Sequence, residues 1–273
     1  MPIDQNTLSF NIENILNGKP FYSEEKDANN KYIGLPIALA QALEYATAEG
    51  IVATMPELIT TKIKAEKTHD LWQKWYTAHT EENIGIDKKG KYYTANDPVL
   101  VIVNGGGILT PERITQAYTE GLINNNAKYT DKEFDDLLEG KLPDNTPIQL
   151  YRFEQITAGI PDLPHKFGVV MPYSIAQATA SGYHKKKEFT ENPLVIARTA
   201  CSLDQLESYY ELAKDSVGDL GNHHPFSGRD ASTPQGRLLY LSDYYIGLYG
   251  YGNLDNFGRF VGVAPEALGT RKK

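Results

Sequence analysis

Pro98-Val99-Leu100-Val101-Ile102-Val103 is an unbroken apolar run, and its reading decides the fold. A half-exposed strand alternates apolar and polar residues, so a run without alternation marks a strand covered on both faces. Helix starts follow it. Thr110-Pro111-Glu112 caps one helix, and Thr130-Asp131-Lys132-Glu133 is a capping box whose helix should stop at Gly140. Further along, Ile148 to Phe153 and Phe167 to Met171 read as strands, Ser174 to Ala180 as a short helix ending at Gly182, and Leu194 to Ala200 as another strand. Ser202-Leu203-Asp204-Gln205 repeats the capping-box form and opens a helix to about Lys214. From Gly221 the chain is rich in glycine and tyrosine, with strands expected at Arg237 to Leu241 and Arg259 to Val263.

Working back from residue 98, helical spacing joins Leu35, Leu39, Ala42, Leu43 and Ala46, with Gly50 as the expected C-cap. Thr54-Met55-Pro56-Glu57 is a capping box, and Leu58, Ile59, Ile63, Leu71, Trp72 and Trp75 predict a helix running towards His79. Thr80 to Asp97, with Lys88, Lys89, Gly90 and Lys91 inside it, breaks both periodicities and reads as a connection or a small hairpin. The expected organisation is therefore a mainly helical region over residues 1–95 packed against a mixed domain over 96–273. The fold class is α+β, a mixed sheet with flanking helices, with an α/β arrangement as the alternative. No Pro/Gly/Ser linker separates the two parts, so they are read as packed together.

The 273 residues, 41% hydrophobic and 23% charged, are of globular composition, which excludes a disordered or collagen-like chain. A net charge of −8 disfavours nucleic acid and anionic membrane as partners. The lone Cys201 forbids an internal disulfide or a thiolate-rich zinc site and points to a reducing compartment. Met1 to Phe10 lacks the basic stretch and apolar run of a signal peptide, so a cytoplasmic, soluble protein is expected. No metal is predicted and no cofactor is assigned.

Candidate chemistry is scattered. Gly105-Gly106-Gly107 lies between a strand and a helix, where backbone amides cradle phosphate, although Ile108 and Leu109 intervene before the cap and no Gly-Lys-Ser/Thr follows. A purely steric turn is the other reading. Arg152 and Arg198 interrupt apolar strands, and each either holds an anionic ligand, pairs with a structural Asp or Glu, or faces solvent on an edge strand. Asn222-His223-His224-Pro225-Phe226-Ser227-Gly228-Arg229-Asp230 gathers two imidazoles, an arginine and a carboxylate in a loop, as proton carriers and anion holder or as bonds to loop backbone. Tyr240, Tyr244, Tyr245, Tyr249 and Tyr251, interleaved with Gly247, Gly250 and Gly252, suit stacking on bases or sugars, or a strand and oligomer interface.

Leu150-Tyr151-Arg152 with Phe167-Gly168-Val169-Val170 and Ser174 to Ala180 loosely resembles the opening of ADP-ribosyltransferase folds, where the strand arginine holds dinucleotide phosphates; the later catalytic glutamate has no counterpart placed here. His224-Pro225-Phe226 resembles the start of the Fic-type AMP transferase motif, and the acidic residue and Gly-Asn-Gly-Arg run that follow there are missing. Two function classes result. One is a transferase or hydrolase acting on a phosphorylated or nucleotide-like small molecule, with His223, His224 and Asp230 catalytic and Arg152, Arg198, Arg229, Gly105 and Gly106 holding an anion. The other is a non-enzymatic binding or assembly protein whose Tyr/Gly-rich C-terminal surface meets a second copy or a protein partner. An enzyme needs the arginines and a histidine to converge on one concavity, whereas an assembly protein disperses them.

Overall fold

The computed structural model describes residues 13–157, 163–242, 247–250 and 254–268. Its strands are β1 Lys19–Ser23, β2 Ile51–Val52, β3 Tyr76–Asp87, β4 Asp97–Asn104, β5 Ala127–Lys128, β6 Leu150–Arg152, β7 Phe167–Pro172, β8 Gly182–His184, β9 Leu220–His223, β10 Gln235–Ser242, β11 Gly247–Tyr249 and β12 Gly258–Val263. The run that opened the argument becomes β4, paired antiparallel to β3 on one side and β7 on the other. Val99, Val101 and Val103 enter one apolar cluster and Leu100 and Ile102 another, so both faces are covered.

The large sheet runs β6-β7-β4-β3-β10-β11-β9-β8, with β5 also on β10, and a small sheet runs β1-β12-β2. Pairing is parallel for β6 with β7 and for β11 with β9, and antiparallel elsewhere in the large sheet. Helices Gly34–Ala46, Pro111–Glu120 and Asp131–Leu138 supply one cluster with β4's valines. Helices Tyr173–Ala178 and Pro193–Thr199 lie in the cluster on β4's other face. The protein is thus α+β, a mixed sheet with flanking helices.

The capping boxes sit where the sequence places them: Thr54, Thr130 and Ser202 open Met55–Lys64, Asp131–Leu138 and Leu203–Val217. Gly140, at φ +75°, follows the second of these helices. The helix beginning at Gly34 ends earlier than expected, at a Thr47 C-cap rather than Gly50. Two larger expectations are corrected. Leu194 to Ala200 is a helix, Pro193–Thr199, not a strand. Asn192 caps it by accepting from the Leu194 and Val195 amides, Pro193 pre-sets its first turn, and Ala200 closes it in the left-handed region at φ 47°. Leu194, Val195, Ala197, Arg198 and Thr199 are all buried, so the helix shows no polar stripe and reads like a buried strand.

The long helix towards His79 also does not form as one piece: it stops at Lys64, a short turn of helix spans Asp70–Gln73, and β3 begins at Tyr76. β3 and β4 form the hairpin that the lysine-rich stretch suggested, and the boundary expected near residue 95 falls in its turn.

Candidate functional site

β3 carries Thr80-Glu81-Glu82-Asn83 through the middle of the sheet, and every one of these polar side chains is buried. A buried polar group is tolerated only when its hydrogen bonds are made, and here each is. The Thr80 hydroxyl donates to Asn104 Oδ1 at 2.8 Å and accepts from the Met55 amide. The Asn83 amide donates to the Val101 carbonyl, and its oxygen accepts from Tyr129. Glu82 lies between two arginines, 2.8 Å from Arg198 Nε and 3.0 Å from Arg237 Nη2. Burial pushes the Glu82 carboxyl up, but the two guanidinium charges outweigh it and hold the group below its ordinary range. Burial lowers Arg237 to about 10 while Glu82 resists the change.

Arg198 is wholly buried and also donates to Asn222 Oδ1 at 2.6 Å and to the His223 carbonyl. It therefore has the structural carboxylate that the sequence argument set against an anionic ligand. Arg152 is exposed at the end of edge strand β6, with its guanidinium 4.9 Å from the centre of the Tyr93 ring. Arg229 and Asp230 line an open cleft of about 340 Å³ with Asn124, Thr233 and Gln235. Asp230 bonds the amide and hydroxyl of Ser232.

The triglycine turn does not offer all its amides to a phosphate. Glu81 reaches up from β3, and its carboxylate accepts from Gly107, Ile108 and Leu109 N–H at 3.0, 3.0 and 2.8 Å. The chain's own anion fills that part of the cradle. Burial pushes Glu81 up to about 7, against those amides, which favour the carboxylate. Gly105 and Gly106 adopt φ +78° and +93°, and a Cβ on Gly106 would lie 2.7 Å from the His79 ring. They line a cavity of about 180 Å³ together with His79, His165, Lys166 and Asp144. Sequence reading missed those four partners because they come from three separate stretches of chain, with only His165 and Lys166 adjacent.

His224 is buried, stacked on Phe226, with Nδ1 accepting from the Phe226 amide. Burial and the Arg198 charge push it down to about 4, so it is neutral at pH 7 and weakly basic. His223 points elsewhere, stacked at 4.5 Å on Tyr249. Tyr249 in turn stacks at 4.9 Å on Tyr240, and Tyr183 meets His223 edge-on at 5.1 Å. The result is an aromatic ladder across β10, β11, β9 and β8, with Tyr240 registered opposite Tyr249 and Tyr249 opposite His223. Tyr183 ends it in solvent at 49% exposure. Tyr244, Tyr245 and Tyr251 lie outside the described residues.

The candidate residues thus fall in separate places: Arg198 in the core, Arg152 on an edge, Arg229 and Asp230 on a cleft, Gly105 and Gly106 on a cavity, and His223 in the ladder. Among the described residues no group of three or more His, Cys, Asp or Glu could hold a metal, and no helix is long and apolar enough to cross a membrane.

The chain is similar to a solved structure described as showing the accommodation of massive sequence variation in Nanoarchaeota by the C-type lectin fold, with 28% identity and a TM-score of 0.66 over 90% of this chain and 97% of that one. No protein-family model and no curated protein matches it.

Proposed function

We propose that this chain is a binding protein that engages a protein partner through the Tyr183-His223-Tyr249-Tyr240 face. The observation that carries this reading is the ladder itself: Tyr240, Tyr249 and His223 stack in register across β10, β11 and β9, and Tyr183 on β8 meets His223 edge-on at the exposed end. Tyrosine supplies large, rigid contact area with a polar tip and loses little side-chain entropy on binding, which is why it dominates recognition surfaces. The scaffold supports the same reading, since the neighbouring fold is described as accommodating massive sequence variation, and such a core leaves surface side chains free to set the partner.

The dispersal of the arginines and histidines favours this class over an enzyme of phosphorylated small molecules. The test is affinity capture with the parent chain and a Tyr183→Ala variant, followed by titration of a purified captured protein. Tyr183 is exposed enough for its loss to leave the fold intact, so a partner held about tenfold more weakly by the variant supports the reading. Equal affinity of parent and variant would overturn it. Sedimentation over a concentration series identifies the case in which the partner is a second copy.

A further inference from the structure

The cavity beside the triglycine turn lies apart from the aromatic ladder. We propose that it is a binding site for a compact oxyanion, a short-chain carboxylate being the best fit, held by Lys166, His79 and the Gly106 amide.

Lys166 is half-buried, its stem packed beside Gly105, and its side chain makes no hydrogen bond or ion pair among the described residues. Asp144 lines the same cavity and its charge acts on Lys166, but the two form no ion pair, so Lys166 sits partly withdrawn from water with no contact partner for its charge. The surrounding carboxylates are already committed. Asp144 accepts from the amide and hydroxyl of Thr146, Glu81 from the amides of residues 107–109, and Glu57 from His165, at 2.8 Å, and from Thr54.

His79 is 7% exposed and its Nδ1 is buried without a hydrogen-bond partner among the described residues. The Gly106 N–H likewise has no partner there, because Gly105 N–H bonds the His79 carbonyl and the Glu81 cradle begins only at Gly107. Positive φ at both glycines holds this stretch of backbone against the cavity in a conformation that other residues adopt only under strain. Glu57 fixes the opposite histidine, its Oε1 accepting a hydrogen bond from His165 Nδ1–H at 2.8 Å.

Leu43, Ala46, Val52, Leu109 and Leu142 make most of the remaining wall, with Thr47 and Thr110 among them. A cavity of about 180 Å³ has room for a small molecule with an oxyanion head and a few carbons.

The experiment is titration of the whole chain, followed by calorimetry and by NMR of its backbone amides and histidine rings, with propionate and with inorganic phosphate at constant ionic strength. The expected result is saturable binding of propionate, with shifts at Gly106, His79 and His165, weakened about tenfold or more in Lys166→Gln and largely retained in Lys166→Arg. Saturable binding of phosphate with the same residue dependence supports the site and assigns the shared oxyanion chemistry to the phosphate source. Absence of saturable binding of either anion to the parent overturns the proposal, as does equal affinity in the folded Lys166→Gln variant. Circular dichroism of both variants establishes that they are folded.

Discussion

Glu82 holds two arginines in a space from which water is excluded, and the sequence shows only half of that arrangement. Arg198 was legible as an anomaly, because a guanidinium inside an apolar run needs a partner, but the partner lies more than a hundred residues away on a strand that reads as polar. Replacing Arg198 by Ala should cost about 3–5 kcal/mol in urea unfolding, and Glu82→Gln a similar amount by leaving two buried guanidinium groups facing each other. A parent-like urea midpoint for either variant would show that the triad contributes little. Acid lability follows from the histidines. Burial together with the charges of His165 and Lys166 pushes His79 down to about 3, and His224 stands at about 4, against an ordinary value of 6.5. Between those values the unfolded chain binds more protons than the folded one, so this stability is complete above pH 6.5 and drains away as pH falls towards 3. Glu81 works the other way. Its folded value near 7 lies above the ordinary 4.5, so the folded state gains a proton over that window and offsets one histidine. Urea midpoints should therefore fall gently from pH 6.5 to 4.5 and more steeply below it, and His79→Gln should flatten the profile; a midpoint that rises on acidification contradicts the assignment.

At the scale of elements, what the sequence revealed depended on whether the signal was local. Helix starts at Thr54, Thr130 and Ser202 were legible because a capping box is complete within four residues. The two misreadings share a physical cause: burial removes the polar face that distinguishes a helix, and hydrogen bonding lets a strand carry charge. Pro193–Thr199 is buried on every side, with even Arg198 and Thr199 inside, and β3 holds Glu81 and Glu82 at the centre of a sheet because a nest of amides and a pair of arginines receive them. The same locality governs the candidate sites. The Tyr/Gly-rich stretch was visible as composition, whereas the ladder also recruits Tyr183 and His223 from β8 and β9, which no spacing rule connects. Asn192 is the one local signal that could have corrected the helix reading, since Asn-Pro before an apolar run is a helix start. Asn192→Ala should cost about 1–2 kcal/mol, because it removes the acceptor for the Leu194 and Val195 amides and for the Asn222 side chain. An unchanged urea midpoint would mean that packing alone holds this helix.

For the whole molecule, the decisive element is β12. It pairs with β1 and β2 in the small sheet, and its side chains divide between two cores: Phe260 enters the cluster with β4's valines, while Val261 and Val263 enter the cluster with Trp72, Leu239 and Leu248. A strand shared in this way couples the early helices to the large sheet, because neither core can open without disturbing the other. The chain should accordingly unfold as one cooperative unit, with no division at residue 95. The prediction is that tryptophan fluorescence, reporting Trp72 and Trp75, and far-ultraviolet circular dichroism, reporting the whole sheet, give coincident urea transitions. Phe260→Ala should lower both midpoints together, at a cost of about 3–5 kcal/mol, because it leaves a cavity where a wholly buried ring stood. Separated transitions, or a Phe260→Ala variant that shifts one probe and leaves the other, would instead mean that the two cores are independent, and that the aromatic ladder and the triglycine cavity rest on scaffolds able to unfold without each other.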